Sequence, residues 1–186
     1  MRKRAFILLI FVTALRSISA SAESIDDQLV RAAALNDQGT FREAIQTIAP
    51  LLGRKMDAND GGRTGIAWNI DGIARQNLGD LEKALHSYET ALEILRRTPT
   101  QVKQYAAALD NLGSLKAEMG QLDESQSLRM HARKLYEAME YHADANALRA
   151  SGQKAEAERI EVEARRGLAS FQHPCGKCSI SASSFR

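Results

Sequence analysis

Apolar and polar positions along this chain alternate with a helical period. Phe41, Ala44, Ile45, Ile48 and Leu52 fall on one stripe, and Leu81, Ala84, Leu85, Tyr88, Leu92 and Leu95 on a second. Leu122, Ser125, Leu128, Ala132, Leu135 and Met139 make a third, and Ala157, Ile160, Ala164 and Leu168 a thinner fourth. Steps of three and four residues place each set on one face of an α-helix, the face that a core must cover. Each stripe follows a glycine in one frame: glycine, spacer, a usually apolar residue, two spacers, a small residue. Gly39 precedes Phe41 and Ala44, Gly79 precedes Leu81 and Ala84, Gly120 precedes Leu122 and Ser125, and Gly152 precedes Lys154 and Ala157. The glycines are 40, 41 and 32 residues apart. Such a glycine closes one helix and turns the chain into the next. The small residue beyond it lets two helices approach.

Further helices are predicted before the glycines, over 25–37, 64–78, 101–119 and 139–150, with breaks at Asp57 to Gly62 and at Thr98-Pro99-Thr100. The pattern therefore predicts an all-α chain of eight helices in four hairpins, with units over about 25–58, 65–98, 106–139 and 138–170. Repeated hairpins of this kind stack into a solenoid. Composition agrees: 44% hydrophobic and 26% charged residues can form a core, and only three prolines interrupt helix.

The first 22 residues lie outside this frame. Arg2, Lys3 and Arg4 form a basic start, Ala5 to Leu15 is an apolar run, and Ala20-Ser21-Ala22 ends the segment. This layout is that of a secretory signal peptide, so the chain is expected to be exported, periplasmic or secreted, with cleavage after Ala22. The apolar run is too short to span a membrane as a helix. Cleavage removes four of the 25 basic residues and no acids, leaving 21 against 23 and a net charge of −2. The slight basicity of the whole chain thus belongs to the leader, and nothing in the charge favours nucleic acid.

The inventory of chemistry argues against an enzyme and against a bound cofactor. No HExxH spacing, GxSxG elbow or dinucleotide fingerprint is present. Gly61-Gly62-Arg63-Thr64-Gly65 lacks the Gly-Lys-Ser/Thr ending of a phosphate loop and reads as an inter-repeat linker. Glu and Asp, and the basic run Arg129, His131, Arg133 and Lys134, read as solvated helix faces; Glu161 and Arg165 form a favourable i,i+4 pair. Chemistry is concentrated in the tail, 171–186, where Cys175 and Cys178 stand at CxxC spacing behind His173. A local disulfide is the first reading in an oxidising compartment; half a zinc site and a redox pair are the alternatives. A closed zinc site would lack its fourth ligand, and a redox pair would lack a strand-to-helix context.

One segment carries a family resemblance. Trp68, Gly72, Gly79, Ala84, Tyr88 and Ala91 resemble the tetratricopeptide repeat, and Leu109, Leu112-Gly113, Gly120 and Ala132 continue it in the next unit. The long units are similar to the variant found in kinesin light chains and many bacterial proteins. Asp71 departs from the family's leucine, Arg75 and Lys116 from its tyrosine, and Ser125 and Arg129 from its alanine and aromatic residue. The resemblance implies a superhelix whose first helices line a concave groove for a protein or peptide partner. Carried over position by position, that groove holds Ile66, Asn69, Ile73 and Gln76 in the second unit, and Asp110 and Ser114 in the third. Asn36 and Asn146 are the corresponding amides of the outer units. Asn and Gln both donate and accept, so they suit the backbone of an extended segment. The reading is an exported protein-binding scaffold. Its rivals are an oligomeric assembly or capping component of an envelope complex, and a thiol or metal protein acting through the CxxC.

Overall fold

The computed structural model describes residues 23–53 and 60–172. The expected leader and the Cys175–Cys178 pair lie outside the described residues. Within them the chain is all-helical: α1 (Ile25–Asp37), α2 (Phe41–Leu52), α3 (Gly61–Asn77), α4 (Leu81–Arg96), α5 (Val102–Glu118), α6 (Leu122–Ala150) and α7 (Lys154–Gln172), with a 3₁₀ turn at Pro99–Gln101. The four frame glycines are the four positive-φ residues among those described, at 76°, 77°, 79° and 87°. At Gly79 the helix end is a Schellman turn: its N–H donates to the Gln76 carbonyl and the Asp80 N–H reaches back to Arg75. Gly39, Gly120 and Gly152 close α1, α5 and α6 with the same pair of bonds.

Each helix packs on the one before it, and α3 also touches α1 on one side and α5 on the other. No comparable contact joins α2 to α4 or α4 to α6. The first helices of the hairpins therefore form the inner layer of a curved stack, and the second helices splay outward. A small cluster (Leu29, Ala32, Ile48, Leu51, Ala67 and Ile70) joins the first hairpin to α3. A larger one, centred on Tyr88, Leu92, Leu95, Leu109, Leu112 and Leu135, joins α4, α5 and α6. Ala84 is fully buried within it, as its place in the frame requires, and Ala132 lies buried beside it.

Three expectations are corrected. The third and fourth units do not part near 139: α6 is one helix of 29 residues, so among the described residues seven α-helices stand where eight were expected. Nothing between Tyr136 and Ala147 is a glycine or proline, and the run is rich in helix formers. α6 completes the third hairpin with α5 and the fourth with α7, which folds back along it as far as Lys134. Second, Gly61 and Gly62 are not linker but the first residues of α3. The chain needs glycine at Gly65 because a Cβ there would fall 2.6 Å from Leu95 Cγ. Third, Leu122 is not part of a buried stripe but 67% exposed, while Leu81, its counterpart one unit earlier, packs against the core.

Candidate interaction surface

The departures from the repeat pattern explain one another once the side chains are placed. Asp71, fully buried, accepts from Ser87 Oγ at 2.6 Å and from Arg75 Nε one turn later. A carboxylate in the leucine position is thus matched by a guanidinium in the tyrosine position. In the third unit Lys116 pairs with Glu124 at 3.0 Å instead. Tyr88 lies over Gly72, where a Cβ would fall 2.5 Å from its ring. Arg129 replaces that ring over Gly113 with its aliphatic stem and sends its guanidinium to Asp110 at 3.3 Å.

The inner layer is tied by amides. Asn111 Nδ2 donates to Asn69 Oδ1 at 3.0 Å, and Gln76 Nε2 donates to Glu118 at 2.9 Å. Both bonds run from α3 to α5, and their α3 residues are seven positions apart, two turns along the same face. Gln76 Oε1 also accepts from Tyr88 at 3.0 Å. Burial pushes the Tyr88 hydroxyl above its usual range, and the Glu118 carboxylate adds to the shift.

The expected groove residues therefore separate. Asp110 and Ser114 are exposed on α5, and Asn69, Ile73 and Gln76 are half-buried on α3. Ile66 and Ile73 pack against the core, with Ile66 touching both clusters. Asn36 corrects the expected pattern: it is only 9% exposed and donates to the Ile70 carbonyl at 3.0 Å, so it joins α1 to α3 instead of facing outward. Asn146 is exposed on the second half of α6, where it accepts from Arg149 at 2.8 Å. Sequence reasoning missed Asn111 and Glu118. Their signal was the family's own spacing shifted by one position, which becomes legible only once the α3–α5 crossing is known.

A second polar centre lies between α6 and α7. Glu161, 13% exposed, meets His142 at 3.4 Å, Arg149 at 3.5 Å and Arg165 at 3.5 Å. Partial burial opposes its ionisation, but the field of His142 and the pairing with Arg149 and Arg165 outweigh that and hold its carboxyl below the usual range. The charged residue in an aromatic position is thus paired across the last hairpin. At the other end, Arg63 forks onto both oxygens of Asp26 at 2.7 and 2.9 Å, tying α3 to α1. This hydrogen bonding holds the Asp26 carboxyl low.

Among the described residues there is no cluster of His, Cys, Asp and Glu able to hold a metal ion. None of these helices is long and apolar enough to cross a membrane.

A curved stack of helical hairpins turned by left-handed glycines, with its first helices inside, is the architecture of a repeat solenoid built for protein contacts. Residues 63–138, the second and third hairpins, match the family model described as tetratricopeptide repeat, and these hairpins are tetratricopeptide repeats. No match was found among curated proteins or solved structures.

Proposed function

We propose that this is an exported scaffold that holds an extended segment of a partner protein along its inner layer. The reading rests on one observation: α5 leaves Asp110 and Ser114 exposed, flanked by the half-buried Ala107 and Ala117 in a stripe of helical spacing, beside the half-exposed amides of α3. Ser114 has no hydrogen-bond partner among the described residues, so that stripe is not used up by the fold. The scaffold reading involves no catalytic step.

The test must spare the core, which rules out Ile73. Ser114→Trp places a large side chain on the open stripe; Gln126→Trp does the same on the exposed face of α6 and serves as control. Partners captured from envelope extract are compared by mass spectrometry. Ser114→Trp should reduce capture about tenfold or more, as blocking a central contact does, while helical content and the Gln126→Trp profile stay unchanged. Equal capture by both variants would remove the groove from the mechanism. Cys175→Ser with Cys178→Ser should leave capture intact; its loss there, with Ser114→Trp still active, would favour the thiol reading.

Export is tested separately. The basic start, the short apolar run and Ala20-Ser21-Ala22 support a mature N-terminus at Glu23. N-terminal sequencing of protein recovered from the envelope fraction should read Glu-Ser-Ile-Asp, and an intact Met1 would refute cleavage.

A further inference from the structure

We infer that the outer face of α5, where it lies between α4 and α6, is the docking place of the chain's own C-terminal tail, which is held there through Lys177. Three side chains meet on that face. Lys116 of α5, only 13% exposed, pairs with Glu124 of α6 at 3.0 Å. Glu89 of α4 lies within the field of both. It is half-buried, yet it makes no hydrogen bond or ion pair among the described residues. Burial pushes its carboxyl above the usual range, and Glu124 adds to the shift against the pull of Lys116 and His86. With His86 neutral, two carboxylates against one lysine leave the face one negative charge in excess. The uncompensated group is Glu89, and a half-buried carboxylate favours a cation beside it. Lys116 and Ser114 are two residues apart, about 200° around the helix, so this face looks away from the open stripe.

The course of α7 says which cation. Gly120 reverses the chain between α5 and α6, and Gly152 reverses it between α6 and α7, so α7 runs in the same direction as α5. Its last turn is anchored by Phe171, 4% exposed, whose ring packs on Tyr105 at 5.0 Å. Lys116 stands eleven residues beyond Tyr105, about three helical turns, hence on the same face of α5 and about 16 Å further along. The chain leaves α7 heading toward it. Pro174 disfavours helix at His173, so the sequence favours an extended course from there. Lys177 follows Phe171 by six residues, which span about 20 Å when extended and so cover the distance with some slack. The 14 residues from His173 to Arg186 contain no Asp or Glu, and Arg186 stands beside the terminal carboxylate. Lys177 is therefore the tail's surplus charge, placed at the reach where the face lacks a cation. A short tether gives an effective concentration on the order of millimolar, which favours this lysine over one on another protein. Held beside Glu89 and Glu124, it ties the end of α7 to α4.

The experiment is zero-length carbodiimide coupling of the full chain as the producing cell processes it, with only monomers taken for peptide mass spectrometry. Lys177 should be found linked to Glu89 or Glu124. Glu89→Lys should cut the link to Glu124 severalfold, and the swap Glu89→Lys with Lys177→Glu should restore a link between positions 89 and 177. Trypsin gives a second readout, since cleavage after Lys177 requires the tail to leave the face. Glu89→Gln, and more so Glu89→Lys, should speed that cleavage by up to about fivefold, the weight of one weak ion pair. Glu140→Lys, the same charge change at an exposed position of α6, should leave the rate as it is. Helical content serves as the folding control. Lys177 coupled elsewhere, or to nothing, would overturn the inference. So would cleavage after Lys177 at one rate in the wild type and both Glu89 variants, the result expected if the cation on this face comes from another protein.

Discussion

Replacing Arg75 by tyrosine, the residue the repeat family places there, should destabilise this protein severely, and replacing Asp71 by leucine as well should restore it. Asp71 is fully buried and Arg75 is 24% exposed on its side chain. Removing one partner of a buried ion pair costs about 3–5 kcal/mol, because the other charge stays desolvated. The exposed edge of Arg75 puts this pair at the lower part of that range. Exchanging both partners for apolar residues of suitable shape is often neutral or stabilising, by up to about 4 kcal/mol. Ser87 does not oppose the exchange, since its hydroxyl also donates to the Lys83 carbonyl at 2.8 Å. Urea unfolding of the two single variants and the double should therefore give strong positive coupling. A double variant as unstable as Arg75→Tyr alone would mean that the site depends on the carboxylate itself, and not on the pair.

The second large effect separates two glycines that look equivalent in sequence. At Gly72 a new Cβ would meet three atoms of the Tyr88 ring between 2.5 and 3.0 Å. The ring cannot retreat easily: Tyr88 is 1% exposed and its hydroxyl is bonded to Gln76. Overpacking of this kind costs about 1–3 kcal/mol, whereas glycine to alanine inside a helix recovers about 1 kcal/mol. Gly72→Ala should therefore lower stability, and Gly72→Val should lower it further. At Gly113 the nearest atom is the Arg129 Cγ at 2.6 Å, on a side chain 61% exposed that can swing outward from its exposed ion pair with Asp110, and the Ser125 carbonyl oxygen, at 3.2 Å, need yield only a few tenths of an ångström. Gly113→Ala should be near neutral by the same urea measurement. Equal losses at the two sites would show that backbone approach limits both.

The sequence revealed the turns and the hairpins, and for a physical reason. Gly39, Gly79, Gly120 and Gly152 sit where the backbone must be left-handed, a demand that only one residue type meets cheaply. The continuity of α6 was less legible, because a stripe ending at Met139 and another helix beginning there read alike whether or not the chain turns between them. The exposure of Leu122 belongs to the same difficulty. Its counterpart Leu81 is covered by the larger core, and no local feature of the sequence says which of the two is covered. Among the surface residues, Asp110 and Ser114 are open, as a periodic reading suggests. The commitments of Asn36 to Ile70 and of Asn69 to Asn111 depend on how neighbouring hairpins cross. A single unit carries no record of that crossing.

The uninterrupted α6 alters how this solenoid comes apart. A stack of separate hairpins behaves as a row of weakly coupled blocks, each able to fray from an end while its neighbour stays folded. Here a rod of about 44 Å runs through the last two blocks, so neither can open without breaking a helix that the other also needs. The break at Thr98 and Pro99 does not divide the stack either, because the larger core runs across from α4 into α5 and α6. The C-terminal half then melts as one body, and fraying from that end is confined to whole-body events.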